Sequence, residues 1–361
     1  MKKLKVGLVG CGGIANGKHI PALIEIEGVD VAAVCDIIEE RAVTSAAKCG
    51  ATFITTDYKE LIARTDIDAI DICAPNYLHS IVAIEALNAG KHVFCEKPDA
   101  MTVQQAIAMK AAAEKAGKRL MVMRNNRFNP GAIYAKKYIA EGNCGALYAG
   151  RCGWIRRRGV PGKGGWFTTK ALSGGGPLID LGVHMIDLAV WMMGNPAPVA
   201  VSGATYNYFT GNSANPDSEN ANFGEAKQDG IFDVEDLAIG MIRFDNGSVL
   251  QIEVSWASNI EREMSFVELR GSKAGIKMVS GELTIYSEAF GELTDIKPAL
   301  NIPQAVKSGH SANIKHFFKD VLIDGAEPLF KPSEGVDMIR ILNGIYESAM
   351  LGREIQIVNI Q

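Results

Sequence analysis

The sequence is short of the features that would point to a secreted, metal-bound or membrane protein. Its seven cysteines form no C-x-x-C pair, and their odd number and scatter suit neither a disulfide frame nor a zinc site. They read as reduced, small hydrophobic residues, four of them in or at the ends of buried strands, and no metal ligand set is expected. No apolar run approaches the length of a membrane span. Met1-Lys-Lys leads straight into a strand with no hydrophobic leader, so a cytoplasmic protein without a membrane partner is expected. Charge of one sign is not in excess either. With 37 Lys and Arg against 41 Asp and Glu, the net charge is −4, which lacks the basic footprint of a nucleic-acid binder. Internal repeats and low-complexity linkers are also missing.

What is present is 361 residues, 47% apolar and 22% charged, enough for two domains of an ordinary soluble enzyme. Up to residue 124 apolar strands alternate with helical runs: Leu4 to Val9, Val29 to Asp36, Thr52 to Thr55, Ala69 to Cys73, His92 to Glu96 and Leu120 to Arg124. Helices such as His79 to Ala89 and Thr102 to Ala116 end at glycines placed as C-caps. That alternation predicts an α/β doubly wound parallel sheet, a Rossmann domain over 1–124. After Pro130, strands at Leu147 to Trp154, Pro198 to Asn207, Asp236 to Phe244, Ser248 to Ala257 and Phe266 to Arg270 alternate apolar with polar residues, and Asp245-Asn-Gly247 marks a hairpin. Residues 125–361 are therefore read as an α+β domain with a large, mostly antiparallel open sheet. It closes with helical runs from His310 to Ile323 and Ser333 to Met350 and a last strand from Glu354 to Val358. Polar residues 211 to 230 are read as a surface loop without chemistry.

The organising stretch is Leu4-Lys-Val-Gly-Leu-Val-Gly10-Cys-Gly12-Gly13-Ile14-Ala15, a strand, a tight turn and a helix start. Gly10 turns the chain, Gly12 lets the backbone approach a pyrophosphate, and Gly13 and Ile14 open a helix whose N–H groups favour phosphate. Asp36 ends the second strand about 20 residues on, where a carboxylate accepts the ribose hydroxyls and repels a 2′-phosphate. A glycine turn by itself also occurs without a ligand, but strand, turn, helix, strand and acid together predict NAD as cofactor, with NADP disfavoured.

Three further stretches carry chemistry. Cys95-Glu96-Lys97-Pro98 lies at the carboxyl end of the fifth strand, the side on which such sheets bind ligands. The Lys97 ammonium can bind a substrate hydroxyl and share its proton, with Glu96 and Lys97 counted among the cofactor contacts. Pro75, Asn76 and His79, after the fourth strand, open on the same crevice. Ser173-Gly-Gly-Gly176-Pro-Leu-Ile-Asp180-Leu-Gly-Val-His184 places Asp180 and His184 at i and i+4 on one helix, able to exchange a proton near neutral pH. The loop Trp154-Ile-Arg156-Arg157-Arg158 to Gly165-Trp166 combines donors and flat rings suited to sugars. Arg156 and Arg158 are read as substrate contacts and Trp166 as a cofactor contact.

Taken together, these residues resemble the glucose-fructose oxidoreductase and inositol dehydrogenase family (Gfo/Idh/MocA). The resemblance runs through Gly10 to Ala15 with His19 and Pro21, Pro75-Asn76 with His79, Ala89 to Pro98, Arg127, and Gly174 to His184. It implies that Lys97, Asp180 and His184 form the catalytic group, His184 taking the proton with Lys97 assisting, and that Lys97, Arg127, Arg156, Arg158, Asp180 and His184 meet a sugar, glycoside or cyclitol. It also implies a homo-oligomer through the C-terminal sheet. Met121-Val-Met-Arg124-Asn-Asn-Arg127 departs from the glycine and tyrosine common there, whereas the arginine-rich loop with Trp166 looks like members that oxidise glucosides, including at the C3 hydroxyl. Two other readings stay open: a glycoside-cleaving enzyme that oxidises C3 transiently on bound NAD, and a non-catalytic NAD sensor.

Overall fold

A computed structural model describes residues 3–209, 223–300 and 309–357. Six strands form the first sheet: β1 (Leu4–Val9), β2 (Val29–Cys35), β3 (Phe53–Thr55), β4 (Ala69–Ile72), β5 (His92–Cys95) and β6 (Leu120–Val122). They pair in the order β3-β2-β1-β4-β5-β6, and every pairing is parallel. Val6, Leu8, Ala69, Ile70 and Ile72 are fully buried, because helices such as Glu39–Cys49, Asn76–Asn88 and Val103–Ala116 cover both faces. The order reverses between β1 and β4, so the carboxyl ends of those strands define the crevice in which such sheets take ligands. The glycine turn follows β1 there, and Pro75 follows β4.

The second sheet has nine strands: β7 (Leu147–Ile155), β8 (Pro198–Tyr206), β9 (Leu237–Phe244), β10 (Val249–Ser255), β11 (Met264–Gly271), β12 (Gly275–Val279), β13 (Glu282–Ala289), β14 (Glu292–Ile296) and β15 (Ile355–Gln356). Their order is β14-β13-β12-β11-β7-β10-β9-β8-β15. All pairings are antiparallel except β7 with β10. Asp245-Asn-Gly247 closes the β9–β10 hairpin, with Gly247 at φ 82°. Strands β12 to β14 were not anticipated, since their outer members are largely exposed and carry little hydrophobic pattern. Part of the 211–230 loop and the end of the last expected strand lie outside the described residues. Among the described residues, no helix is long and apolar enough to cross a membrane.

The described residues divide into two units by their internal contacts, one of 3–125 together with 309–339, the other of 126–209 and 223–300 with 340–357. The segment 309–339 joins the first unit through aromatic packing. Phe317 and Phe318 are fully buried, with ring centroids 5.3 and 5.9 Å from that of Phe94. Arg124 adds an ion pair to Asp99 at 2.6 Å and lies over the Phe330 ring. Phe317→Ala is expected to cost about 3–5 kcal/mol by cavity formation, read from the chemical denaturation midpoint. A loss below about 1 kcal/mol would show that this segment is no part of the first unit's core.

Candidate functional site

In the first unit the candidate residues gather at the carboxyl ends of β1, β2, β4 and β5. Gly10 takes φ 94°, and a Cβ there would lie 2.6 Å from the Cys73 carbonyl, so only glycine lets the turn pass against the end of β4. Over Gly12 and Gly13 an added Cβ would meet nothing within 4 Å. That open space borders the first N–H groups of a helix, which have no acceptors within it. The helix widens into a π turn over Ala15–His19, directly before Pro21, whose ring nitrogen has no proton to donate. Asp36 holds the other side of the turn: one carboxylate oxygen accepts from Cys11 N at 2.8 Å and the other from Ile38 N at 2.9 Å. Each oxygen keeps lone-pair capacity for a ribose hydroxyl. Glycine cradle, helix start and anchored acid fit the adenosine and pyrophosphate of NAD.

At the end of β5, Lys97 is half-buried and Glu96 is 6% exposed. Glu96 was expected to touch cofactor, but its two oxygens are engaged inside the protein: Oε1 with His19 Nε2 at 2.9 Å and Oε2 with Lys97 N at 3.1 Å. Burial alone would raise this carboxyl. The hydrogen bond and charge of His19, with the nearby Lys97 charge, together outweigh it and bring the group down to about 2. His79, also expected at the cofactor, is 1% exposed, its ring nitrogens 2.7 Å from Pro98 O and 2.9 Å from Ala74 O. It ties the loop after β4 to the one after β5. Asn76 is buried in the first turn of its helix, behind Pro75 at the N-cap.

The second unit carries Asp180 and His184. The triple glycine before them answers a steric demand, since a Cβ on Gly175 would lie 2.0 Å from Tyr346 Oη and one on Gly176 2.1 Å from Glu235 O. Glu235 secures the turn by accepting from Gly176 N, Leu178 N and Tyr346 Oη at 3.0, 3.1 and 2.8 Å. From there a π turn over Leu178–Gly182 runs into the helix Val183–Met192. Asp180 is buried and accepts from the Trp256 indole N–H at 2.9 Å, and the His184 ring lies 6.1 Å from that of Trp154. Arg156 covers the same Trp154 ring at 5.1 Å; burial lowers its pKa, opposed by the Asp180 charge. Arg158 is tied to Ser258 O and Asn259 Oδ1, both at 2.8 Å, and Trp166 stacks on Phe167 at 3.8 Å.

Arg127, expected as a substrate contact, is held inside the second unit. It is 1% exposed, and its Nε and Nη2 grip the two oxygens of Asp187 at 2.8 and 2.6 Å. Asp187 lies one turn beyond His184, so this buried fork holds the helix that carries the histidine. Trp256, Glu235 and Tyr346 carried no signal in the sequence, being single residues far along the chain from the glycine turn they serve. A cavity in this unit is lined by Asn126, Asn129, Trp154, Met185, Leu188 and Ser265 among others.

Comparison with known proteins matches residues 4–124 to an oxidoreductase family with an NAD-binding Rossmann fold, and residues 133–277 to the GFO/IDH/MocA C-terminal domain. D-glucoside 3-dehydrogenase of Escherichia coli is 32% identical over 98% of this chain and 97% of its own length. Levoglucosan dehydrogenase of Pseudarthrobacter phenanthrenivorans is 31% identical over 76% of this chain and 73% of its own. Among solved structures, levoglucosan dehydrogenase in complex with NADH and L-sorbose aligns over the whole of both chains with a TM-score of 0.85 at 26% identity.

The anchored Asp36 carboxylate generates a test of cofactor choice. The parent is expected to bind NAD more tightly than NADP, and Asp36→Ala to weaken NAD and narrow that preference, as measured by fluorescence titration. A parent that favours NADP by tenfold, about 1.4 kcal/mol, would overturn the role given to Asp36.

Proposed function

The chain belongs to the Gfo/Idh/MocA oxidoreductase family, and we propose from that premise that this NAD-dependent sugar dehydrogenase oxidises the C3 hydroxyl of a D-glucoside to a ketone. The observation that carries the substrate is the 32% identity to D-glucoside 3-dehydrogenase over 98% of the chain. NAD, when bound, supplies the nicotinamide that accepts the hydride. In the reaction the C3–H bond gives up its hydride, the hydroxyl gives up its proton, and the products are the 3-keto glucoside, NADH and a proton.

The proton is assigned to His184. Its ring stands beside Trp154, and the pairing of Asp187 with Arg127 fixes its helix. An imidazole is a side chain that can take up a hydroxyl proton as the hydride leaves. Asp180, oriented by the Trp256 indole, supplies negative charge on the same segment, and Lys97 donates to the reacting oxygen. Arg156 and Arg158 offer further hydrogen-bond donors to the sugar. The cavity that Trp154 and Met185 share with Asn126 and Asn129 has apolar walls and amide donors, which suit the substituent on the anomeric carbon.

Incubating the protein with NAD and a panel of O-glucosides, free sugars and inositols, followed by mass spectrometry, tests this reading. Loss of two hydrogens with stoichiometric NADH is expected for glucosides. Release of the aglycone with the cofactor returned oxidised would replace it with transient oxidation and cleavage. His184→Asn is expected to leave a folded protein that binds NAD, with kcat reduced about a hundredfold to ten-thousandfold. Turnover within about threefold of the parent, with chemistry rate-limiting, would remove His184 from the proton transfer.

A further inference from the structure

Under the sheet of the first unit lies a charged cluster that no step of the proposed reaction uses. His19 is fully buried, and both of its ring nitrogens face carboxylates: Nδ1 is 2.9 Å from Asp71 Oδ2, and Nε2 is 2.9 Å from Glu96 Oε1. Asp71 is itself fully buried. A neutral imidazole carries one N–H and would turn its bare nitrogen lone pair on the second carboxylate; only the doubly protonated ring donates to both. The remaining oxygen of Glu96 accepts from the Lys97 backbone N–H. The chain of contacts thus runs Asp71, His19, Glu96, Lys97, from the first helix and β4 to the end of β5.

We propose that His19 is a permanent buried imidazolium, and that Glu96, clamped by it, is a positioning residue that sets the backbone and therefore the side-chain direction of Lys97. The proposal rests on the assignment of Lys97 to the reaction. Burial would lower the His19 pKa, but the Asp71 carboxylate holds it well above the usual histidine range. Also facing the cluster are Cys73, Lys18, Lys97 and His310. Burial pushes His310 down to about 4, so it stays neutral, and pushes the Cys73 thiol far up, so it stays protonated. His19, Asp71 and Cys73 are close enough together to suggest a metal, but a protonated thiol and a ring already bonded to two carboxylates supply no open ligand set. The signs of linkage are opposite for the two partners. The Glu96 contribution to stability is present above its unfolded pKa and lost as pH falls toward about 2, whereas that of His19 is full below its unfolded pKa and lost as pH rises through its raised folded value.

Glu96→Gln keeps the shape but leaves one amide oxygen to serve two donors. Because misplacing a reacting group by about 1 Å costs on the order of a hundredfold, kcat is expected to fall about tenfold to a hundredfold, with sugar KM and NAD affinity within about threefold. His19→Gln should lower kcat similarly, and the double variant should lose no more than the worse single one. In the parent, the ring nitrogen resonances of His19 should keep their imidazolium shifts from about pH 5 to 9. A folded Glu96→Gln enzyme with unchanged kcat, a loss confined to KM or NAD affinity, or a neutral His19 ring at pH 7 would overturn the proposal. Lys97→Met separates the two failures. If it turns over normally, the assignment of Lys97 itself falls; if it is inactive while Glu96→Gln is not, only the positioning role falls.

Discussion

Both candidate regions depend on main chain passing against main chain. A Cβ at Gly10 would strike the Cys73 carbonyl, and one at Gly176 would strike the carbonyl of Glu235. These approaches let the turns reach the positions that chemistry needs: open space over Gly12 and Gly13 in one unit, and a helix delivering Asp180 and His184 in the other. Any side chain at the contact would push the turn outward by more than an ångström, and the carboxylates that brace it would lose their amide donors. Asp36 braces the first turn through Cys11 N and Glu235 the second through Gly176 N and Leu178 N. A carboxylate accepting backbone N–H groups is thus used twice, half-buried at Asp36 and buried at Glu235, for two different purposes.

Around these turns, buried ion pairs do the locating. Arg127 with Asp187, Arg124 with Asp99, and His19 between Asp71 and Glu96 are all nearly free of solvent. Taking such charges out of water is expensive, and a hydrophobic pair of equal volume often stabilises as well. What the charged pairs add is direction, because a fork on a carboxylate admits one geometry where aliphatic packing admits several. Two of the three lie one residue or one helical turn from a group assigned to function: Asp187 from His184, and Glu96 from Lys97.

Much of this was legible along the chain wherever the signal is local. The parallel sheet, the glycine turn with Asp36, the hairpin at Asp245-Asn-Gly247 and the triple glycine before Asp180 come from periodicity and turn chemistry spanning a few residues. Strand β14 escaped because it has no buried residue and is held by backbone pairing, and β13 because its buried pair, Leu283 and Ile285, is too short a pattern to stand out among polar neighbours. The segment 309–339 read as part of the second domain, for nothing in its own pattern says which core its Phe317 and Phe318 enter.

The sequence by itself determined the architecture class, the cofactor and the residue types available for proton transfer. Only the tertiary structure decided how those residues are held. Trp256 meets Asp180, Arg127 meets Asp187, and His19 meets both Asp71 and Glu96 across separations of 52 to 77 residues. An arginine near a motif reads the same whether its guanidinium faces a sugar or a buried aspartate. The distinction lies in which carboxylate folding brings within hydrogen-bond distance, and no property of the isolated stretch records that.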